Sequence, residues 1–563
     1  MRRKAFGGLG VVLIVAAYAD TAGFSKQISM EDRILHALNR LTFGARPGDA
    51  AQVKAVGLKK WIDLQLHPER IPENATLLEK LKPFDSLTMS GEELVRNYPA
   101  PQIVRQMAAG QIPFPTDPDR RLLIRKLVKR AETKQGDGAA PADAPTPQAL
   151  TAILTPQEIR SLRTGTPQER LAALEAMPHD KQDDVIGALP QQMRQALFVA
   201  APPDLRRRIE LTAGPAQVVA RDLQESKILR AVYSNRQLDE VLADFWFNHF
   251  NVFMDKGADR YLTTEYERDA IRPHVLGKFR DLLEATAKSP AMLFYLDNWQ
   301  SVGPNAPQLP RGGPNAQRRG LNENYGRELL ELHTLGVDGG YTQKDVTEVA
   351  RCFTGWSIDR PQLGGTFRFA PRLHDNGEKA VLGVTIPAGG GEKDGEKVLD
   401  IVAHHPATAR FISKKLAQRF VADDPPVALV ERMARTFLKT DGDIRAVMET
   451  MLESKEFWSE GAYRSKMKSP LEVVVSAVRS SNANVDFATA LVNQVAQLGE
   501  PLYRKQEPTG YSNSSREWMN TAGLMARMNF ALQLSGNKVP GVKVDTPAGG
   551  ADTALGSPEF QKH

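Results

Sequence analysis

The stretch from Leu321 to Trp356, LNENYGRELLELHTLGVDGGYTQKDVTEVARCFTGW, restricts the fold more than any other part of this chain. Asn324, Glu328 and Glu331 recur at helical spacing with Arg327 beside them, while Tyr325, Leu329 and Leu332 form a second stripe about one residue round the helix. One face can pack while its neighbour stays polar. Leu335-Gly336 suits a helix C-cap, and Thr342 can cap a second helix from about Gln343 that turns Val346, Val349, Ala350 and Phe353 inward. The pattern predicts a helix, a glycine-rich turn and a second helix, holding Asn322, Glu323, Asn324, Arg327, Glu328, Glu331 and His333 close together at the centre of the fold.

The chain has 563 residues, 41% of them apolar, which is ample for a large core and excludes disorder throughout. Its net charge of +6 is spread over 73 basic and 67 acidic residues, so no nucleic-acid footprint is present. At the start, Met1 to Lys4 is basic, Ala5 to Ala17 is apolar, and Ala17-Tyr18-Ala19 fits a cleavage site. We expect residues 1–19 to be a signal peptide, and the mature protein to be soluble and exported to the periplasm or beyond, because no apolar run reaches the roughly 18 residues of a membrane span. The single cysteine, Cys352, rules out an intrachain disulfide and reads as a buried, inert thiol.

From Ser29 onward the chain reads as helix after helix, an all-α fold. Residues 29–133 form the first part of the main domain, and 134–150 is an Ala- and Pro-rich linker. Within 151–214, Pro156, Pro167, Pro178, Pro190 and Pro202 recur every eleven or twelve residues and open short runs such as PQERLAAL. Proline needs no amide partner at a helix start, and each run has one apolar edge that a neighbour must cover. This is an inserted short-helix array, either a partner-docking surface or an insertion that merely packs on the body. Residues 215–533 complete the main domain and 534–563 read as a mobile tail. One β-hairpin is expected, with Gly365 to Ala370 and Lys379 to Ile386 as its strands and His374-Asp375-Asn376-Gly377 as its turn.

Several motifs carry a resemblance. FWFNHF from Phe245, the NENYGRELLELHTLGVDGGYT run, VTEVARCFTGW, His374-Asp375-Asn376-Gly377, HPATARFISKKL from His405 and KSPLEVV from Lys468 occur in order. Together they resemble the bacterial family called domain of unknown function 1800, from about Ser29 to Phe530. The segment PLYRKQEPTGYSNSSREW departs from the family pattern, with Tyr511 where a tryptophan is common. The resemblance implies export and a frequent neighbour from a sulfatase-like family, domain of unknown function 1501. It implies no reaction.

Two functional readings follow. In the first, the chain is a binding or assembly protein of the cell envelope working with the sulfatase-like partner, and Glu323, Arg327 and Glu331 form intrahelical ion pairs while Asn322 and Asn324 brace loops. In the second, it is a metal-dependent hydrolase: His249, Glu328, His374 and Asp375 hold a divalent metal, and Glu328, Glu331 and His249 do the acid and base work. Imidazole with carboxylate suits zinc, manganese or iron. No HExxH, cysteine cluster or Gly-x-Ser-x-Gly accompanies them.

Overall fold

The computed structural model describes residues 23–136, 150–306, 320–519, 521–544 and 555–563. The expected signal peptide and most of the linker lie outside the described residues. The helix Pro118–Gly136 runs three residues into the segment read as linker. Among the described residues the chain is mostly helical with three two-stranded antiparallel sheets, and no helix is long and apolar enough to cross a membrane.

The axis of the body is the helix Pro215–Tyr233, buried along almost its whole length although polar and charged residues are mixed with its apolar ones. Around it pack Ala75–Leu81, Pro203–Ala213, Asp259–Glu265, Pro470–Ser480 and Thr489–Gln497. Its buried charged residues, Asp222, Glu225 and Lys227, are each answered, as burial of an ion requires. Asp222 pairs with Arg207 at 2.6 Å, Lys227 with Asp244 at 2.6 Å, and Glu225 accepts the Ala488 amide at 2.8 Å. The Asn324 helix is therefore not the centre of the fold, because its polar stripe leaves one edge half-exposed. It packs instead on Gln343–Cys352, whose capping box at Thr342 and Asp345 forms as the sequence predicts. Gly326 makes that approach close: a Cβ there would sit 3.0 Å from the Val346 carbonyl.

The helix changes register part-way. Asn324–Glu328 is α-helical, Leu329–Thr334 is a π-helix, and the Thr334 hydroxyl donates to the Leu329 carbonyl at 2.5 Å. Across the wider turn Leu329, Leu330, His333 and Thr334 are all buried.

The expected single hairpin is two. Phe367–Phe369 pairs with Trp356–Ile358, and Lys379–Val381 pairs with Val384–Ile386 across Leu382-Gly383. Both turn residues have positive φ, 49° and 79°, the geometry that a two-residue hairpin favours and that Gly383 accommodates. His374 and Asp375 lie between the hairpins.

The short-helix array forms from five helices, Pro156–Thr164, Pro167–Glu175, His179–Ala188, Gln191–Ala200 and Pro203–Ala213. Thr155 and Thr166 close capping boxes with Glu158 and Glu169, and Leu162, Leu174, Val185, Leu189 and Leu197 share an apolar cluster. Arg207 and the Phe198 ring, 5.6 Å from Phe487, fasten one side to the body. The end of the chain also differs from expectation. Residues 555–563 are not a loose tail: His563 is buried, its amide donates to the Lys466 carbonyl at 2.9 Å, and the Lys468 amide donates to Gln561 at 2.9 Å. Backbone pairing with Lys466–Lys468 holds this segment in place.

Candidate functional site

The polar residues of the Leu321–Trp356 stretch are mostly spent on bracing. Asn322 accepts the Asn324 amide at 2.9 Å and donates to the Leu296 carbonyl at 3.2 Å. Glu323 receives Gln343 at 2.8 Å, Thr347 at 2.9 Å and Arg327 at 3.4 Å, tying the two helices together. Arg327 also reaches Gln343 at 3.1 Å, and Asn324 is exposed. Glu328 is half-buried; burial, and then the charge of Glu331, pushes its carboxyl up, while Glu331 shares a hydrogen bond with Tyr341.

His374 and Asp375 belong to a second, sealed network. His374 Nδ1 donates to the Thr354 carbonyl at 2.7 Å, and its Nε2 lies 3.1 Å from Asp394, which pairs with Lys379 at 2.6 Å. Asp375 is held by Arg351 at 2.9 Å and accepts the Gly377 amide at 2.9 Å. His374, Asp375 and Lys379 are essentially inaccessible.

His249 occupies a third place. It is buried among Phe245, Trp246, Phe250 and Phe411, and its Nε2 donates to the His333 carbonyl at 3.0 Å. That bond fixes the tautomer and leaves Nδ1 as a lone pair with no partner among the described residues; His333 Nε2 likewise has none there. Burial holds His249 well below the usual imidazole range and brings His333 down to about 3, with the charge of Lys415 adding to both. The ring contacts of His249 and His374 have no residue in common. His249, Glu328, His374 and Asp375 thus stand in three separate settings, and among the described residues no group of three or more His, Cys, Asp or Glu side chains could hold a metal ion.

The structure opens somewhere else, in front of Lys415. A cleft of about 640 Å³ is lined by Lys415, Gln418 and Asp423 on one side and by residues of the 498–518 segment, including Tyr511 and Trp518, on the other. It meets a small polar recess of about 60 Å³ walled by Asn248, Asn251, Arg419, Glu472, Glu500 and Tyr503. Asn248 clamps the backbone of the opposite wall: its Nδ2 donates to the Tyr511 carbonyl at 2.8 Å and its Oδ1 accepts the Tyr511 amide at 2.6 Å. Asn251 adds bonds to the Lys505 and Glu507 carbonyls, and Tyr295 to that of Gln506. The FWFNHF motif therefore faces two ways, its asparagine outward to shape the cleft and its histidine inward. Buried Glu500, pushed up to about 8 by desolvation and then by Asp244, accepts the Leu471 amide at 2.8 Å.

Sequence reading missed Lys415, Tyr511 and Trp518 as wall residues, although both segments carrying them stood out, HPATARFISKKL as a motif and PLYRKQEPTGYSNSSREW as a departure. Nothing local signals that these two segments, far apart in the chain, face each other. A family model described as a protein of unknown function (DUF1800) matches residues 36–559. No curated protein and no solved structure matches the chain.

Proposed function

Because this chain belongs to the DUF1800 family, whose function is unknown, we propose from its sequence and its site that it is an exported binding or assembly protein of the cell envelope, working with a sulfatase-like partner. The observation that carries this reading is the fate of Glu323, His374 and Asp375: each is consumed in bonds that join helices and hairpins rather than converging on a reactive centre. Residues so engaged are braces, and they make a rigid frame on which surfaces can be displayed. The array is one such surface. It is fastened to the body through Arg207 and through Lys126, which pairs with Asp184 at 2.9 Å, while Arg160 and Arg163 stand exposed on it.

The test is to purify tagged mature protein from its native envelope, identify what accompanies it and measure its metal content. Stoichiometric capture of a sulfatase-like protein, lost when Arg160 and Arg163 are both changed to Glu, is the expected result. Absence of any stoichiometric partner, with one equivalent of zinc, manganese or iron bound, would overturn the reading in favour of a His/Glu hydrolase.

A further inference from the structure

The cleft contains one cation that no acidic side chain answers among the described residues, and its carboxylates are Asp423, paired with Lys466, and Glu517, which is exposed. Its other cations, and those of the adjoining recess, are paired: Lys466 with Asp423 at 2.5 Å, Lys505 with Glu507 at 3.0 Å, Arg419 with Glu472 at 2.6 Å and Lys227 with Asp244 at 2.6 Å. Lys415 has no acidic partner among the described residues. Its ammonium stands 5.5 Å over the Phe411 ring, and behind it lie His249 and His333, whose imidazoles stay neutral. Its poorly solvated position alone brings it down to about 8. A cation placed like this gains most from an anion delivered by a ligand, because the charge is already partly stripped of water.

The opposite wall says what else that ligand carries. Tyr511 and Trp518 lie with ring centroids 6.2 Å apart, and the Trp518 indole N–H is anchored on the Ser512 carbonyl at 3.1 Å. Thr509, Ser512, Asn513 and Ser514 line the same cleft, and Gly499 and Gly510 leave it without side-chain bulk. Aromatic faces beside hydroxyl and amide groups match the C–H faces and hydroxyls of a sugar. An acidic peptide would be better served by an open sheet edge or apolar side-chain pockets, neither of which this lining supplies.

We propose that this cleft binds an acidic saccharide, with a sugar ring on Tyr511 and Trp518 and a uronate-type carboxylate on Lys415. The volume, about 640 Å³, suits a short oligosaccharide. The site lies outside the array and goes beyond the partner reading, so each can fail without the other.

The full mature chain is titrated with trigalacturonate, with neutral galactotriose and with triglutamate, following tryptophan fluorescence and heat. Saturable binding of trigalacturonate alone is expected. Lys415→Met, which keeps the aliphatic stem, should weaken it roughly ten- to a hundredfold, the loss of one charge-assisted hydrogen bond, while Lys415→Arg retains it. Trp518→Ala should weaken it as well, and thermal unfolding of each variant shows that the fold is intact. Absence of trigalacturonate binding, equal binding by Lys415→Met, or triglutamate binding as tightly as the uronate would each overturn the proposal.

Discussion

Removing the Asn248 side chain should release one wall of the cleft and leave the rest of the body folded. In Asn248→Ala the Tyr511 amide and carbonyl both lose their partners, which are now at 2.6 and 2.8 Å. A net contribution of about 1 kcal/mol per neutral hydrogen bond gives about 2 kcal/mol for the pair. Tyr511 is only half-buried, so water can take over part of the pairing and that sum is an upper estimate. The segment keeps its bonds from Asn251, Tyr295 and Gln224, so the loss is local opening rather than unfolding. Amide exchange followed by mass spectrometry reads it directly: an opening made easier by 2 kcal/mol speeds exchange about thirtyfold. Peptides covering 508–513 should show that acceleration, while those from Pro215–Tyr233 stay as protected as before. Asn248→Asp, which can still accept the Tyr511 amide but cannot donate to its carbonyl, should fall between. Unchanged exchange at 508–513 in Asn248→Ala would refute the clamp.

His333 makes the fold acid-sensitive. Its folded pKa of about 3 lies below the unfolded value near 6.5, so its contribution is complete above pH 6.5 and drains away as pH falls toward 3. At about 1.4 kcal/mol per unit this is at most about 5 kcal/mol, and the urea midpoint should decline below pH 6.5 with a shallower slope in His333→Gln. Lys379→Met leaves buried Asp394 without its cation and should cost about 3–5 kcal/mol in urea unfolding, because the uncompensated carboxylate cannot reach water. Gly383→Ala meets no neighbour within 4 Å but must hold φ at +79°, so a loss of about 1 kcal/mol in the same assay is expected from backbone conformation alone.

Local signals were read well from the sequence. Thr342, Gly336 and the array prolines mark helix ends because capping and φ restriction act within a few residues, and the structure places caps, turn and short helices there. The π-turn at Leu329–Thr334 was not legible, since it keeps apolar residues at spacings that an α-helix also tolerates. The alternation of Gly365–Ala370 marks it as extended, but nothing local names Trp356–Ile358 as its partner, because pairing is a tertiary choice. Density of polar residues along the chain was a poor guide to a site. The Leu321–Trp356 stretch spends its polar residues on bracing two helices, whereas the cleft draws on 411–423 and 498–518, whose share of charged residues is no lower.

Tyr511 joins the clamp to the cleft and separates two demands on one position. Asn248 holds the backbone of residue 511 and not its ring, so the loop does not depend on which aromatic stands there. The tyrosine hydroxyl adds one bond, to the Pro501 carbonyl at 2.8 Å. Tyr511→Trp, which restores the residue the family pattern favours, should therefore cost no more than about 1 kcal/mol in unfolding and leave amide protection at 508–513 intact. It enlarges the apolar face opposite Lys415, so any ligand stacked on that face should bind at least as tightly as to the tyrosine protein. Loss of protection in Tyr511→Trp equal to that in Asn248→Ala would mean that the ring, not the backbone bonds, holds the wall in place.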